Sequence, residues 1–170
     1  VVEMEQNHTL EIEGLSLTLR PDRIDELEDG GRAVIDYKTR APSRTHWLGE
    51  RPREPQLPLY SLLDSKIQGI AFAELSTSDP VQFIAVGEGL GFAKGDEKSL
   101  GQQTRYIAAT WPELVAQWEA SLQKLAMEFM AGDAAVNPQP GACDYCDLAS
   151  VCRINELSVS TDPAVLEDSA

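Results

Sequence analysis

The sequence lacks several features, and each gap excludes a class of protein. The 170 residues contain no Gly-x-x-x-x-Gly-Lys-Ser/Thr loop, so the chain is not expected to be an ATP-driven motor by itself. No run of about 18 apolar residues and no signal peptide occur, so we expect a cytoplasmic protein without a membrane partner. Because the first residue is Val1 rather than methionine, we also expect the sequence to be an excised fragment.

Basic residues are scarce as well. The chain has 14 Lys and Arg against 28 Asp and Glu, a net charge of −14, which disfavours nucleic-acid phosphates as ligands. The deficit is uneven, because residues 20–53 hold eight basic and seven acidic side chains. If some of those acids bind a metal ion, this segment can face a polyanion; otherwise its arginines are scattered surface charges.

Residues 20–39 carry the strongest functional pattern in the chain. Leu15, Leu17 and Leu19 alternate with polar residues, which predicts a half-buried strand that arrives at Asp22. The acidic, glycine-rich residues 28–31 predict a turn, and residues 33–38 predict a second strand. The pattern therefore indicates a hairpin.

The hairpin brings acidic side chains to a lysine. Side chains two apart on a strand share a face, so Asp36 and Lys38 project together while Tyr37 points the other way. Antiparallel pairing then brings Asp22 or Asp25 beside them. Two carboxylates can hold Mg²⁺ or Mn²⁺ with water and phosphate oxygens, and a lysine can stabilise charge on phosphorus, so the set indicates phosphodiester hydrolysis. Taken alone, Asp-x-Lys is more often a surface ion pair.

Two further patterns follow this hairpin. Gln56 and Tyr60 lie four residues apart at the start of a predicted helix over 57–65, and therefore on one helix face. Cys143, Cys146 and Cys152 form a Cys-x₂-Cys-x₅-Cys pattern near the C-terminus. The helical pair alone would be interpreted as a helix N-terminus with a core tyrosine.

Together these ordered motifs resemble the PD-(D/E)XK nuclease superfamily, in particular the RecB-like exonuclease domains of the AddB and Cas4 type. The resemblance covers roughly residues 10–156 and implies a restriction-endonuclease-like α/β fold, a central mixed sheet flanked by helices. It implies a metal-dependent DNA exonuclease that serves as the nuclease module of a recombination or repair helicase–nuclease. DNA and a helicase subunit or domain are the implied partners.

The resemblance also assigns roles to residues. The family's Gly-x-x-Asp-Arg-x-Asp motif resembles residues 19–25, with Leu19 in place of the glycine, and makes Asp22 the first metal ligand and Asp25 the fallback. Asp36 is the implied second ligand, and the carbonyl of Tyr37 is a further one.

The remaining implied members of the active site are a lysine and the helical pair. Lys38 is the implied catalytic lysine, and Gln56 and Tyr60 match the family's Gln-x-x-x-Tyr motif, which supports the active site or touches DNA. A histidine or acid on a helix upstream of the family's core has no counterpart here, and we interpret His8 as a surface residue.

The cysteines resemble three of the four ligands of the family's [4Fe–4S] cluster. Since the fourth ligand is not in this chain, we expect the cluster in a full-length parent and not in the fragment. A zinc site completed by His8 or His46 is an alternative without finger-like spacing, and disulfide bonding would leave an odd thiol.

The rest of the chain is assigned by pattern. Residues 9–13 predict an opening strand of the same sheet, and residues 40–54 a loop in which Trp47 either stacks on a base or enters the core. Residues 70–75 and 81–86 predict strands joined by a turn over 76–80, and residues 87–103 a mobile loop. Thr110 caps a long amphipathic helix that ends at Gly132, whose core stripe is predicted to be Leu114, Val115, Trp118, Leu122, Leu125, Phe129 and Met130.

Residues 1–157 are thus interpreted as one nuclease domain and residues 158–170 as an acidic, weakly ordered tail. Two other functions stay open: a catalytically silent nuclease-like module that binds DNA or braces a helicase, and a metal-binding scaffold in which the cysteines are the functional element.

Overall fold

The computed structural model describes residues 1–76, 79–93, 98–105 and 107–153, with the side chain of residue 149 excepted. The chain divides into two units, Val1–Ala131 and Gly132–Ala170. The division precedes the boundary predicted after residue 157, and that boundary and the predicted acidic tail lie outside the described residues.

The described part of the first unit contains seven strands, five of them in one mixed sheet. In chain order the strands are β1 (Glu3–Met4), β2 (His8–Ile12), β3 (Leu15–Leu19), β4 (Arg23–Glu26), β5 (Arg32–Lys38), β6 (Ile67–Glu74) and β7 (Gln82–Gly87). The sheet runs β1-β4-β5-β6-β7, with β5 and β6 parallel and the other neighbours antiparallel. Helices flank it, so the predicted α/β fold is confirmed.

Central strands β5 and β6 are apolar on both sides because both faces of the sheet are covered. Val34, Ile70 and Val86 contribute to the core on one face. Ile35 and Ala71, each one residue further along its strand, contribute to the core on the opposite face. Strands buried on both faces have nearly continuous apolar runs rather than alternation, as these two have.

The predicted first strand of the hairpin is real but has a different partner. β3 pairs with β2 in a separate two-stranded sheet, and a two-residue turn at Glu13 and Gly14 joins them with φ of 47° and 79°. Two successive positive φ values suit the tight turns that connect short hairpins. The prediction that β2 and β3 belong to the central sheet was therefore wrong, and the partner of β5 is the shorter β4.

Helices cover the face of the sheet that carries Val34. They are a 3-10 helix (Arg44–Trp47), α1 (Gln56–Ser61), α2 (Leu100–Gln103) and α3 (Trp111–Met130). Helix α1 ends four residues before the predicted end. α2 forms inside the predicted loop over 87–103, whose residues 94–97 lie outside the described part, as do residues 77 and 78 of the predicted turn.

Helix α3 supplies much of the core. Leu114, Trp118 and Leu122 are buried at a spacing of four residues, and Trp118 Nε1 donates a hydrogen bond to the carbonyl of Trp47 at 2.7 Å. Phe129 and Met130 are 69% and 55% exposed, so their predicted place in the core was wrong. The helix continues beyond Ala126, its last buried residue, so the apolar stripe extends past the end of the core against which the helix packs.

The second unit, in its described part, contains the short helix α4 (Ala149–Cys152) and turns. Most of its described side chains are exposed, including Tyr145 at 99%. No helix among the described residues of either unit is long and apolar enough to span a membrane.

Candidate active site

Asp36 and Lys38 meet on the face of β5 that is covered by helices. Lys38 Nζ lies 2.6 Å from Asp36 Oδ2. Asp36 is only 2% exposed, whereas about a third of the Lys38 side chain reaches solvent. The period of two thus brings the pair together as predicted, with the carboxylate beneath and the ammonium at the surface.

Gln56 links this pair to helix α1. Its Nε2 donates to Asp36 Oδ1 at 2.8 Å and to the Tyr60 hydroxyl at 3.1 Å, while its Oε1 accepts from Lys38 Nζ at 3.1 Å. The Tyr60 hydroxyl donates to the carbonyl of Arg20 at 3.1 Å. One side-chain amide therefore fixes both the carboxylate and the ammonium, and Tyr60 ties that amide to the segment before β4.

Asp22 approaches the same place from that segment. Its Oδ2 accepts a hydrogen bond from the backbone N–H of Tyr37 at 2.9 Å. This bond holds the carboxylate against β5 at the residue that lies between Asp36 and Lys38 in the sequence. Its negative charge also contributes to a raised pKa of Asp36, which requires the two carboxylates to lie near each other.

The electrostatics of Asp36 favour a bound cation. Burial raises the pKa of Asp36 above its usual range, Lys38 opposes that shift, Asp22 adds to it, and the Gln56 amide opposes it. Among the described residues, Asp36 Oδ2 is a buried oxygen without a partner in hydrogen-bonding geometry, although Lys38 stands at ion-pair distance. A divalent ion would relieve the repulsion between the carboxylates and satisfy this oxygen.

Asp25, the fallback ligand, lies on the opposite face of the sheet. Asp25 pairs with Ala33 and shares its face of the sheet, whereas the side chain of Asp36 is on the face that carries Val34 and Ile24. Arg23 Nε donates to Asp25 Oδ1 at 2.7 Å, and Arg23 Nη1 donates to the Tyr37 hydroxyl at 3.2 Å. Although burial alone would raise the pKa of Asp25, the Arg23 guanidinium holds it below its usual range. Asp25 is therefore occupied in an ion pair away from Asp36.

The donor set fits a hard divalent ion. Mg²⁺ is held in proteins by one or two carboxylates and completes its octahedron with water and substrate phosphates. Among the described residues no group of three or more His, Cys, Asp and Glu side chains is arranged to hold a metal ion. Two carboxylates, Asp22 and Asp36, therefore suit Mg²⁺ or Mn²⁺ and do not suit a closed structural zinc site.

Two aromatic residues pack beneath the lysine, and one of them, Phe72, was not singled out by the sequence patterns. Lys38 Nζ lies 5.5 Å from the centroid of the Phe72 ring, and Trp47 packs against the same ring with centroids 5.1 Å apart. Trp47 is fully buried, so of its two predicted locations the core is the one observed. Phe72 stands opposite Asp36 in the parallel pairing of β5 and β6, a register that sequence alone does not reveal.

Comparison with known proteins decides the family. A family model described as the PD-(D/E)XK nuclease superfamily matches residues 1–153. The chain belongs to the PD-(D/E)XK nuclease superfamily. Members of this superfamily are generally metal-dependent nucleases that use divalent ions such as Mg²⁺ or Mn²⁺.

Other comparisons add little to this PD-(D/E)XK domain. No curated protein matches the chain. A solved structure, described as the crystal structure of SSO0001, is 17% identical with a TM-score of 0.44 and matches 88% of this chain. The chain spans 59% of the length of that structure.

The cysteines of this PD-(D/E)XK chain lie in its second unit. Cys143 and Cys146 are exposed and Cys152 is half-buried. Within the described residues the three cysteines do not form a group that could hold a metal ion, so as placed they do not fit an iron–sulfur cluster or a zinc ion. His8, expected at the surface, is half-buried with Nε2 3.0 Å from Glu3 Oε2.

Proposed function

We propose that this PD-(D/E)XK chain is a DNA exonuclease that serves as the nuclease module of a recombination or repair helicase–nuclease. The observation that carries the proposal is the meeting of Asp22, Asp36 and Lys38 on one face of the sheet. The order of three motifs, with Gln56 and Tyr60 as the third, supports the RecB-like type.

In the proposed site, Asp22 and Asp36 hold one Mg²⁺ or Mn²⁺, and the carbonyl of Tyr37 is a further ligand. When bound, such an ion acidifies water and neutralises charge on the transferring phosphate. The ammonium of Lys38 would orient the attacking water or stabilise the charge that builds on phosphorus. Lys38 is partly exposed, so a phosphate can approach it from solvent.

Gln56 and Tyr60 act as positioning residues in this proposal. The Gln56 amide holds Asp36 Oδ1 and Lys38 Nζ at the same time, which fixes the distance between ligand and lysine. Tyr60 anchors Gln56 and the backbone at Arg20, two residues before Asp22. Active-site groups held in this way need to move little when substrate binds.

The partners follow from what the sequence lacks. Since no phosphate-binding motor loop is present, unwinding of a duplex would require a helicase subunit or domain. We place the activity in the cytoplasm. A [4Fe–4S] cluster would need a fourth ligand besides Cys143, Cys146 and Cys152, and measurement of iron and acid-labile sulfide alongside the cleavage assay tests for it.

The experiment is cleavage of end-labelled DNA strands with Mg²⁺ or Mn²⁺ by wild type and Lys38→Ala. We expect wild type to release nucleotides from an end and Lys38→Ala to fold normally, by circular dichroism, without cleaving. Retained metal-dependent cleavage by Lys38→Ala would refute the role of Lys38. Binding of DNA by wild type without cleavage under any metal would instead favour the silent, DNA-binding module.

A further inference from the structure

A second polar cavity lies outside the proposed metal site. It has a volume of about 340 Å³ and is lined by the 3-10 helix, by Ile84 of β7 and by the end of α2. Its charged lining residues are Arg44 and Arg105, and no carboxylate lines it among the described residues. In a chain with a net charge of −14, such a place is unusual.

Arg44 is poorly satisfied by the protein itself. Its Nε is buried and has no hydrogen-bond partner among the described residues. Burial lowers the pKa of Arg44, which means that its charge is partly stripped of water without a compensating anion. An arginine stays protonated in proteins, so this guanidinium keeps a partly desolvated charge that a nearby anion would stabilise.

The rest of the lining suits an oxyanion. Ser43 and Thr45 bring hydroxyls to the cavity, and their oxygens lie 3.0 Å apart. Arg105 has a φ of 55°, a conformation that non-glycine residues rarely adopt and that persists when surrounding structure holds it. Two arginines and two hydroxyl-bearing residues thus line one cavity, and guanidinium and hydroxyl groups are donors that suit the oxygens of a phosphate group.

The cavity lies on the same face of the sheet as Asp36. Asp36 stands opposite Phe72 on β6, and Phe72 stands opposite Ile84 on β7. Phe72 and Ile84 belong to the core on the helix-covered face. Two strand spacings of about 4.8 Å put the cavity wall roughly 10 Å from Asp36, a distance that a short stretch of one nucleic-acid strand can bridge.

We propose that Arg44 and Arg105 form a phosphate pocket that holds a phosphate group of the substrate strand a short distance along the strand from the one being cleaved. The site rests on the proposed nuclease function and adds to it a second anchoring point. It explains how an acidic chain binds a polyanion, because a paired arginine site concentrates the available positive charge where the strand passes.

The experiment measures binding of a labelled single-stranded oligonucleotide, by fluorescence anisotropy without divalent ions, across a series of NaCl concentrations. The variants are Arg44→Gln, Arg105→Gln and the double variant, and the matched control is Lys124→Gln, which removes one positive charge from the exposed side of α3. Parallel oligonucleotides carry a 5′-phosphate, a 3′-phosphate or only hydroxyl ends. Mn²⁺-dependent cleavage is recorded on the same preparations.

We expect the double variant to bind more weakly and to lose about 0.7 from the slope of log affinity against log salt, the contribution of one phosphate on a single strand. Lys124→Gln should keep the wild-type slope. A loss that is equal on all oligonucleotides assigns the pocket to an internal phosphodiester, and a loss that needs an end phosphate assigns it to a terminal phosphate.

A double variant that matches Lys124→Gln in affinity and slope, while wild type cleaves DNA, would overturn the pocket and leave the proposed function intact. A wild type that neither binds nor cleaves would overturn both. Thermal unfolding checks the fold: Arg44→Gln removes an unpaired buried donor, so its Tm should equal or exceed that of wild type. Arg105 is exposed, and its single variant gives the same test if Arg44→Gln misfolds.

Discussion

Replacement of Gln56 by methionine tests the network that joins the candidate metal ligand to the lysine. Methionine matches the length of glutamine and cannot reproduce its hydrogen bonds. The change removes three hydrogen bonds: those that the Gln56 amide donates to Asp36 and to Tyr60, and the one that it accepts from Lys38. Of these three bonds, two involve charged partners.

The expected magnitude follows from those partners. A hydrogen bond to a charged group contributes roughly 1.5–3 kcal/mol. Lys38, whose side chain is about a third exposed, can regain some water when its bond is lost. Two such bonds near the lower limit give a loss of about 2–3 kcal/mol in the free energy of unfolding without metal. For a chain of this size that corresponds to a fall in Tm of roughly 5–10 °C.

The same change should move the pH dependence of cleavage. The Gln56 amide lowers the pKa of Asp36, so its loss raises that pKa beyond the value that burial already imposes. Because the ionised carboxylate is the form that binds a metal ion, a higher pKa means that half-maximal activity is reached at a higher pH. We expect the acidic limb of the Mn²⁺-dependent rate to shift upward and the maximal rate to fall.

The assays are urea unfolding in EDTA and initial cleavage rates over a pH series. A matched control is Gln68→Met, which also removes a glutamine that donates to an aspartate, here the exposed Asp29, away from Asp36. The control should change stability little and leave the pH profile in place. If Gln56→Met left both stability and the acidic limb as in wild type, the network would not be doing what its geometry indicates.

Two other predictions concern stability. Burial raises the pKa of Asp36, so its protonated form contributes to the free energy of unfolding fully below the unfolded pKa, roughly pH 4, and this contribution is lost as pH rises through the folded pKa. In urea unfolding without metal, Asp36→Asn should not show this loss. Added Mn²⁺ should stabilise wild type and leave Asp36→Asn unchanged. Trp118→Ala should lower the free energy of unfolding by about 3–5 kcal/mol because it empties core space and frees the Trp47 carbonyl. Phe129→Ala, on the exposed end of the same helix, should change it little, and equal losses in the two variants would contradict the observed core.

Local spacing was enough to predict the central pairings of the site. Asp36 and Lys38 are two residues apart on one strand, and Gln56 and Tyr60 are four apart on one helix, so both pairs are fixed by backbone geometry alone. The direct bonds from Gln56 to Asp36 and Lys38 depend on tertiary packing. The family resemblance implied that Gln56 supports the active site or touches DNA, but it did not specify these bonds.

The misassigned strand has an equally physical origin. The alternating leucines of β3 do mark a strand, but a tight turn with two positive φ values lets it pair locally with β2. β4 is four residues long and carries the charged Arg23 and Asp25 on the face opposite Ile24, so its sequence shows almost no alternation of apolar and polar residues. The choice between Asp22 and Asp25 depended on that short strand, because its parity decides which carboxylate faces Asp36.

The polar cavity was out of reach of the sequence for a related reason. Arg44 and Arg105 are 61 positions apart, and their meeting depends on the pairing of β6 with β7 and on the position of the 3-10 helix. The sequence predicts residues 40–54 as a loop in which Trp47 either stacks on a base or enters the core. The structure brings part of it, through Trp47, into the core and leaves Arg44 at a cavity.

The central claim is that Asp22 and Asp36 share one divalent ion, and calorimetric titration of Mn²⁺ into four proteins tests it directly. The account predicts one site in wild type, loss of that site in Asp22→Asn and in Asp36→Asn, and wild-type binding in Asp25→Asn, whose carboxylate pairs with Arg23 on the other face. Unchanged binding in Asp22→Asn or Asp36→Asn, or loss of the site in Asp25→Asn, would contradict it.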